Sequence, residues 1–428
     1  MKKQILCILF AFCSMIATAQ VANTAPSLIG AWSGKLKLGA ASLTLVFHFE
    51  QADGYMICSL DSPDQGAKGI GAYKHFLSED SVSLSITAIG ADFQAYRKGD
   101  KLLGTFSQRG MNFPLTLTKG DYTPKRTQTP SFPLPYITEE VSFTNTSDQT
   151  TLVGTLTYPS GYNHEKNVPI VLMVTGSGLQ NRDEEIFDHK PFFVIADHFA
   201  RHGIATLRYD DRGCGASSTG SLPINKATTP DFMRDAEAGI QYLHHLNKFG
   251  AIGVLGHSEG GNIAFMLGSH EWVDFIVSMA GVGVKGDTAL TAQANCIMHL
   301  QGQKTSISTH QYRQNIQALG NAWTSWFIDH DPSTDLAAIN CPTLAINGDK
   351  DCQVIADLNL NGIKRVLPQN QLSLIKKYPS LNHLFQHCQT GLPDEYNRIE
   401  ETISIEVLKD MTEWINKVYT AKRGQAAK

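Results

Sequence analysis

Residues 254–265, VLGHSEGGNIAF, hold Ser258 in a G-x-S-x-G spacing between a short apolar run and a helix-like run. The chemistry that this spacing serves is attack by a hydroxyl oxygen. A serine on a very tight strand-to-helix turn leaves almost no room beside it, and Gly256 and Gly260 supply positions without a Cβ. Gly261 then lets the new helix pack closely on neighbouring backbone. The turn pushes the Ser258 hydroxyl above the sheet edge, at a helix N-terminus whose dipole favours developing negative charge.

A serine hydroxyl is a poor nucleophile at neutral pH and needs a general base. Two downstream loops offer one, together with an acid to orient it. NGDKDCQV (347–354) carries Asp349 and Asp351, and LNHLFQHC (381–388) carries His383 and His387. Asp351 stands farther along its loop, where a carboxylate reaches sideways to an imidazole. Asp349 follows Gly348 at a strand end and suits backbone hydrogen bonds in the turn. His383 comes four residues after Pro379, close to the sheet edge, whereas His387 falls on an expected opening helical turn. Serine, then acid, then histidine is the chain order expected of this architecture. Acyl transfer also needs donors aimed at an oxyanion. The backbone N–H of Glu259 is one; the other is expected from Ser177 or Gly178 in TGSGLQNRDEE (175–185), each donor being worth about 100- to 1,000-fold in rate. A phosphate-binding glycine loop is the competing reading there, but the lysine and hydroxyl of a P-loop are missing.

The elements that must position these residues are read as follows. From Thr138, apolar β-rich runs alternate with helical patterns, the signature of a mostly parallel sheet covered on both faces. Strands are expected within 169–176, 203–210, 251–258, 274–281, 342–349 and 371–379, and helices at 190–202, 231–248, 260–269 and 395–419. The connection 282–340 is far longer than such joins usually are; with helical patterns at 287–301 and 308–328, it is read as a cap insertion over the site, a surface-bound structural insertion being the alternative. Residues 27–120 form a β-rich module with alternating runs such as SVSLSITAI, and 121–137, with four prolines, a linker. Arg212, in RYDDRGCGASS, is read as tying its loop together through carboxylates and carbonyls. His189 suits helix entry better than the pocket. Trp323, Trp326 and Phe327 fit either a pocket wall or the cap's own core.

Lys2 and Lys3, an apolar stretch from Ile5 to Ile16 and Ala17-Thr18-Ala19 describe a secretory signal peptide, residues 1–19, shorter in its apolar run than a membrane span. Export to the periplasm or outside the cell follows. The net charge of −4 gives no electrostatic reason to expect nucleic acid or an anionic membrane as partner. No C-x-x-C spacing supports a metal. Cys352 and Cys388 are the best-placed pair for a disulfide, although free thiols fit slightly better.

On the TGSG loop, the DDRGCGAS segment, the GHSEGG elbow, the GDKD loop and the LNH loop, residues 138–420 resemble the α/β-hydrolase superfamily. More narrowly, the chain is similar to exported bacterial serine esterases that carry a small β-rich module. Thr175 departs from the histidine that many relatives have there. The resemblance implies a metal-free, cofactor-free hydrolysis of a small ester through an acyl-enzyme on Ser258, with His383 as base and Asp351 as orienting acid. The same triad serves a serine peptidase of short peptides, or a thioesterase or acyltransferase. A binding β module beside an inactive hydrolase domain is the non-enzymatic alternative.

Overall fold

The computed structural model describes residues 28–426, apart from 39–40, 53–54, 66, 79, 123–124, 164–167 and 318–320. Residues 1–19, read from the sequence as a signal peptide, lie outside the described ones. The chain divides into two compact units, one through Tyr122 and one from Thr123 onwards.

The first unit is a closed, antiparallel eight-stranded barrel: β1 Gly30–Leu38, β2 Ala41–Ala52, β3 Tyr55–Ser62, β4 Ala67–Leu77, β5 Ser81–Ile86, β6 Ala91–Lys98, β7 Lys101–Gln108 and β8 Met111–Lys119. Period-2 alternation builds it: in SVSLSI every second side chain is buried. Two-residue turns at Gly99-Asp100 and Arg109-Gly110 fix the register of β6–β7 and β7–β8. Positive φ at both Arg109 and Gly110 suits the right-handed twist of the flanking strands. Trp32, Phe47 and Phe93 fill the interior, the two phenylalanines stacked at 4.6 Å. Closure leaves this sheet without an edge.

The second unit is one sheet of β9 Thr138–Asn145, β10 Thr150–Thr157, β11 Pro169–Val174, β12 Ala205–Tyr209, β13 Ala251–His257, β14 Phe275–Met279, β15 Thr343–Gly348 and β16 Leu374–Tyr378. Their order is β9-β10-β12-β11-β13-β14-β15-β16. The pairings from β12 through β11 to β16 are parallel, while β9 and β10 are antiparallel additions at one end. β11, β13, β14 and β15 are buried along their whole length, which is why they read as continuous apolar runs.

Helices α1 Pro191–Arg201, α2 Thr229–Leu246 and α3 Glu259–Leu267 follow their strands. α4 Gly286–Leu300, α5 Thr309–Gln317, α6 Ala322–Phe327 and α7 Ser333–Ala338 form the insertion between β14 and β15, and α8 Ala356–Val366 and α9 Ile405–Ala426 complete the unit. Three expectations need correcting. The pattern over 308–328 is not one helix: Asn321 starts α6 afresh, its side chain accepting the Thr324 N–H at 3.0 Å. The last helix begins at Ile405 rather than 395. Residues 393–404 are instead a short 3-10 turn and a loop, ended where Ser404 accepts the Glu406 and Leu408 amides. Helix α8 was not anticipated, because its Asn- and Gly-containing sequence has poor helix propensity.

Arg212 is fully buried, bonded to Asp235 and Asp148 at 2.7 Å and to the Asp231 carbonyl. Breaking such a buried pair typically costs about 3–5 kcal/mol, so Arg212 fixes the loop after β12 against α2. The Pro-rich stretch is likewise bonded within this unit. Arg126 donates to the carbonyls of Ile399, Asn397 and Phe187, and Gln128 donates to that of Ile403.

Candidate active site

Parallel registry brings the carboxyl ends of the central strands to one edge. Val174 pairs with Gly256, His257 with Met279, and Gly348 with Tyr378. The loops carrying Ser177, Ser258, Asp351 and His383 therefore open on the same side. Ser258 sits between β13 and α3 at φ 54°, ψ −116°, a conformation that L side chains rarely adopt. Its neighbours must be glycines. A Cβ on Gly256 would come within 1.8 Å of the Gly260 carbonyl, and one on Gly260 within 2.1 Å of the Val174 carbonyl. Gly261 packs against Ser278 and Gly281 in the same way.

The histidine loop and the acid loop are joined next to Gly348, where a Cβ would meet the Leu381 carbonyl at 2.1 Å. Lys350 N–H donates to that carbonyl at 3.0 Å. Beyond it, His383 Nδ1 lies 2.7 Å from Asp351 Oδ2. The other oxygen, Oδ1, accepts the amides of Gln353 and Val354 at 2.8 Å each. Both side chains are buried, and the carboxylate is held from two sides. Asp349 instead accepts the Ser380 amide in its turn. His387 is exposed on Glu401 and lies in a β-bridge with Leu381, not in a helical turn. His189 is buried away from the cavity, between Thr402 and the Tyr396 carbonyl.

Ser258 lines a cavity of about 470 Å³ together with Ser177, Glu259 and the cap residues Leu290, Trp323 and Phe327. Gly178, at φ +97°, lines the adjoining cavity instead. The loop after β11 approaches Ser258 closely: a Cβ on Gly176 would sit 3.3 Å from that of Ser258. Trp326 stacks on His330 at 4.4 Å, so of the three insertion aromatics, Trp323 and Phe327 form pocket wall. All six cysteines of the described residues are free thiols.

Several functional side chains escaped the sequence reading. His257, directly before Ser258, has Nδ1 2.9 Å from Glu184 Oε1 and Nε2 2.9 Å from the His383 carbonyl. Both partners are acceptors, an arrangement that favours a proton on each ring nitrogen and so the charged form of His257. Burial works against that charge, but Glu184, the His383 carbonyl and Asp351 raise its pKa above the ordinary 6.5. Glu184 Oε1 also accepts the Gly176 N–H at 2.9 Å, joining the β11 loop through His257 to the backbone of His383. A histidine with a raised folded pKa stabilises the fold fully below about pH 6.5, and the contribution is lost as pH rises through the raised value. Unfolding free energy should thus fall with rising pH above that point, and His257→Gln should flatten the fall. Urea titrations across that range measure this, and an equally steep decline in the variant would exclude the charged pair.

Thr175 Oγ1 donates to the buried carboxylate of Asp211 at 2.8 Å, which ties the start of this loop to the one after β12. Glu259 contributes more than its amide. Its buried carboxylate accepts Thr229 Oγ1 at 2.6 Å, Trp323 Nε1 at 2.7 Å and the Ser177 hydroxyl. Burial pushes this carboxyl above its ordinary value, against those three hydrogen bonds. The only short-range signal for these roles was polar residues flanking the elbow and glycine loop.

Strand order, with the elbow after β13 and the Asp351 and His383 loops after β15 and β16, gives the second unit the α/β-hydrolase fold. Residues 190–317 match the family model described as serine aminopeptidase, S33. That segment contains Ser258 and ends before Asp351. The chain is similar to Esterase EstD of Thermotoga maritima, 23% identical over 279 residues, which are 62% of this chain and 66% of that protein. It thus spans slightly less than two thirds of that relative's length. Among solved structures, the esterase Pf2001 of Pyrococcus furiosus aligns with a TM-score of 0.45 and 17% identity, over 70% of this chain and 99% of the other. Est1E of Butyrivibrio proteoclasticus, with ferulic acid bound, gives 0.44 and 16%, over 66% and 98%.

Proposed function

We propose that this protein is an exported serine carboxylesterase that works through an acyl-enzyme on Ser258. The observation that carries the reading is the His383–Asp351 pair at 2.7 Å, on the sheet edge that also holds the strained Ser258. With Nδ1–H committed to Asp351, Nε2 of His383 is the free base. It takes the Ser258 proton as Oγ attacks the ester carbonyl, while Asp351 orients the imidazole and stabilises its charged form. The amides of Glu259 and of Ser177 or Gly178 receive the oxyanion. Collapse of the tetrahedral intermediate breaks the C–O bond, and the imidazolium returns the proton to the departing alcohol. Water, deprotonated by His383, then attacks the acyl-enzyme and releases the acid and free Ser258.

The similarity to an esterase supports ester over amide substrates. The serine aminopeptidase family model favours a second reading, cleavage of short peptides by the same triad. One experiment separates them. The mature protein is treated with a fluorophosphonate and assayed on p-nitrophenyl esters and matched aminoacyl p-nitroanilides. Single labelling at Ser258, read by peptide mass, with faster ester turnover is the expected result. Faster anilide turnover would establish the peptidase; absence of both labelling and turnover would overturn both.

A further inference from the structure

Two cavities meet at Ser177 and Trp323. The first is the cavity of about 470 Å³ that contains Ser258; the inner face of α4, through Ala289, Leu290, Ala294 and Ile297, makes it mostly apolar. The second, about 640 Å³, lies on the far side of the β11 loop, between Leu179, Phe232 and the carboxamides of Asn225 and Asn321. Trp323 is the wall they share. Its ring stacks on Phe327 at 4.9 Å, and its indole N–H donates to Glu259 Oε1 at 2.7 Å. Glu259 is anchored in turn by Thr229, at the start of α2. The tryptophan is therefore braced against the residue that follows the nucleophile, not only against its own cap.

We propose that Trp323, braced by Glu259, is the specificity-determining residue that divides the site into an acyl compartment and an alcohol compartment. The inference rests on the acyl-enzyme reading above. The acyl group stays bonded to Ser258 after the first step, and of these two cavities Ser258 lines the α4 one, so that apolar cavity holds the acyl chain. The alcohol must leave, and the second cavity offers it two carboxamides. The substrate class is then an ester joining an apolar acid to a hydroxyl-bearing alcohol. Trp323 is in the binding machinery, whereas Glu259 acts as a positioning residue through its side chain.

The test is a matrix of acetyl, butyryl and octanoyl esters of ethanol and of glycerol, hydrolysed by the full mature chain and followed by pH-stat. Leu290→Trp, which fills the acyl cavity from α4, should lower the octanoyl-to-acetyl ratio of kcat/KM about ten-fold or more, mainly through KM. It should leave the glycerol-to-ethanol ratio in place. Asn225→Leu should do the reverse. Trp323→Ala should shift both ratios by a similar factor. Glu259→Met should shift them as Trp323→Ala does, whereas Glu259→Gln, which keeps an oxygen for the indole, should restore the wild-type ratios. Fluorophosphonate labelling of Ser258 in each variant reports a folded site. The two cavity variants moving the same ratio, or Glu259→Met leaving both ratios unmoved, would overturn the proposal. Wild-type protein inert on every ester would instead overturn the esterase reading.

Discussion

Ser258→Ala is expected to lower kcat on p-nitrophenyl esters by about a million-fold, the loss seen when a serine hydrolase loses its nucleophile. The fold should survive. Alanine keeps the Cβ, so the turn at φ 54° is no more strained than before, and Gly256 and Gly260 still provide its space. His383, Asp351 and the oxyanion donors remain, and they sustain only the weak residual rate of water attack assisted by binding. Turnover and a urea midpoint, measured on the same preparation, check both halves. A variant as active as wild type would overturn the acyl-enzyme; a large fall in the midpoint would mean that the hydroxyl also holds the elbow together.

Asp351→Asn is expected to lower kcat by about ten thousand-fold, with little change in KM. The reason is the number of acceptors. Asp351 Oδ2 receives His383 Nδ1–H, while Oδ1 receives the Gln353 and Val354 amides. Asparagine has one oxygen. If that oxygen keeps the two amides, its NH2 faces Nδ1 and forces the imidazole proton onto Nε2, where the base must be empty. If it turns to Nδ1, two backbone amides meet an NH2. The first arrangement loses less and is the wrong tautomer. Asp349→Asn, on the Ser380 amide, should change kcat far less, and equal losses in the two variants would refute the assignment of Asp351.

The candidate triad was legible because each member sits in a short motif at the end of a strand. Local stereochemistry imposes those motifs. Only glycine fits at 256 and 260, an apolar run precedes each turn, and the strand succession fixes the order in which the loops arrive. The same locality explains the errors. Propensity carried a helix through 308–328 and back to 395, because the cap of Asn321 and the start at Ser404 look like any polar residue in a periodic stretch. It also passed over α8, whose Leu360 and Ile363 are buried on the side that packs against β15 and β16.

What only the tertiary structure decided is what lies between the motifs. Glu184, His257 and the His383 carbonyl form one chain of hydrogen bonds across 73 and 126 residues of sequence. No pattern of spacing encodes a partner at that distance. The cap aromatics posed the same difficulty: periodicity put Trp323, Trp326 and Phe327 on one helix, as α6 has them, but could not separate pocket wall from cap core, and only contacts place Trp323 on Glu259 and Trp326 on His330. The sequence by itself determined which atoms are suited to attack, accept and orient, since these follow from residue type and the turn beneath them. The division of space around those atoms had to await the folded chain, because a cavity belongs to surfaces that meet only when distant segments pack.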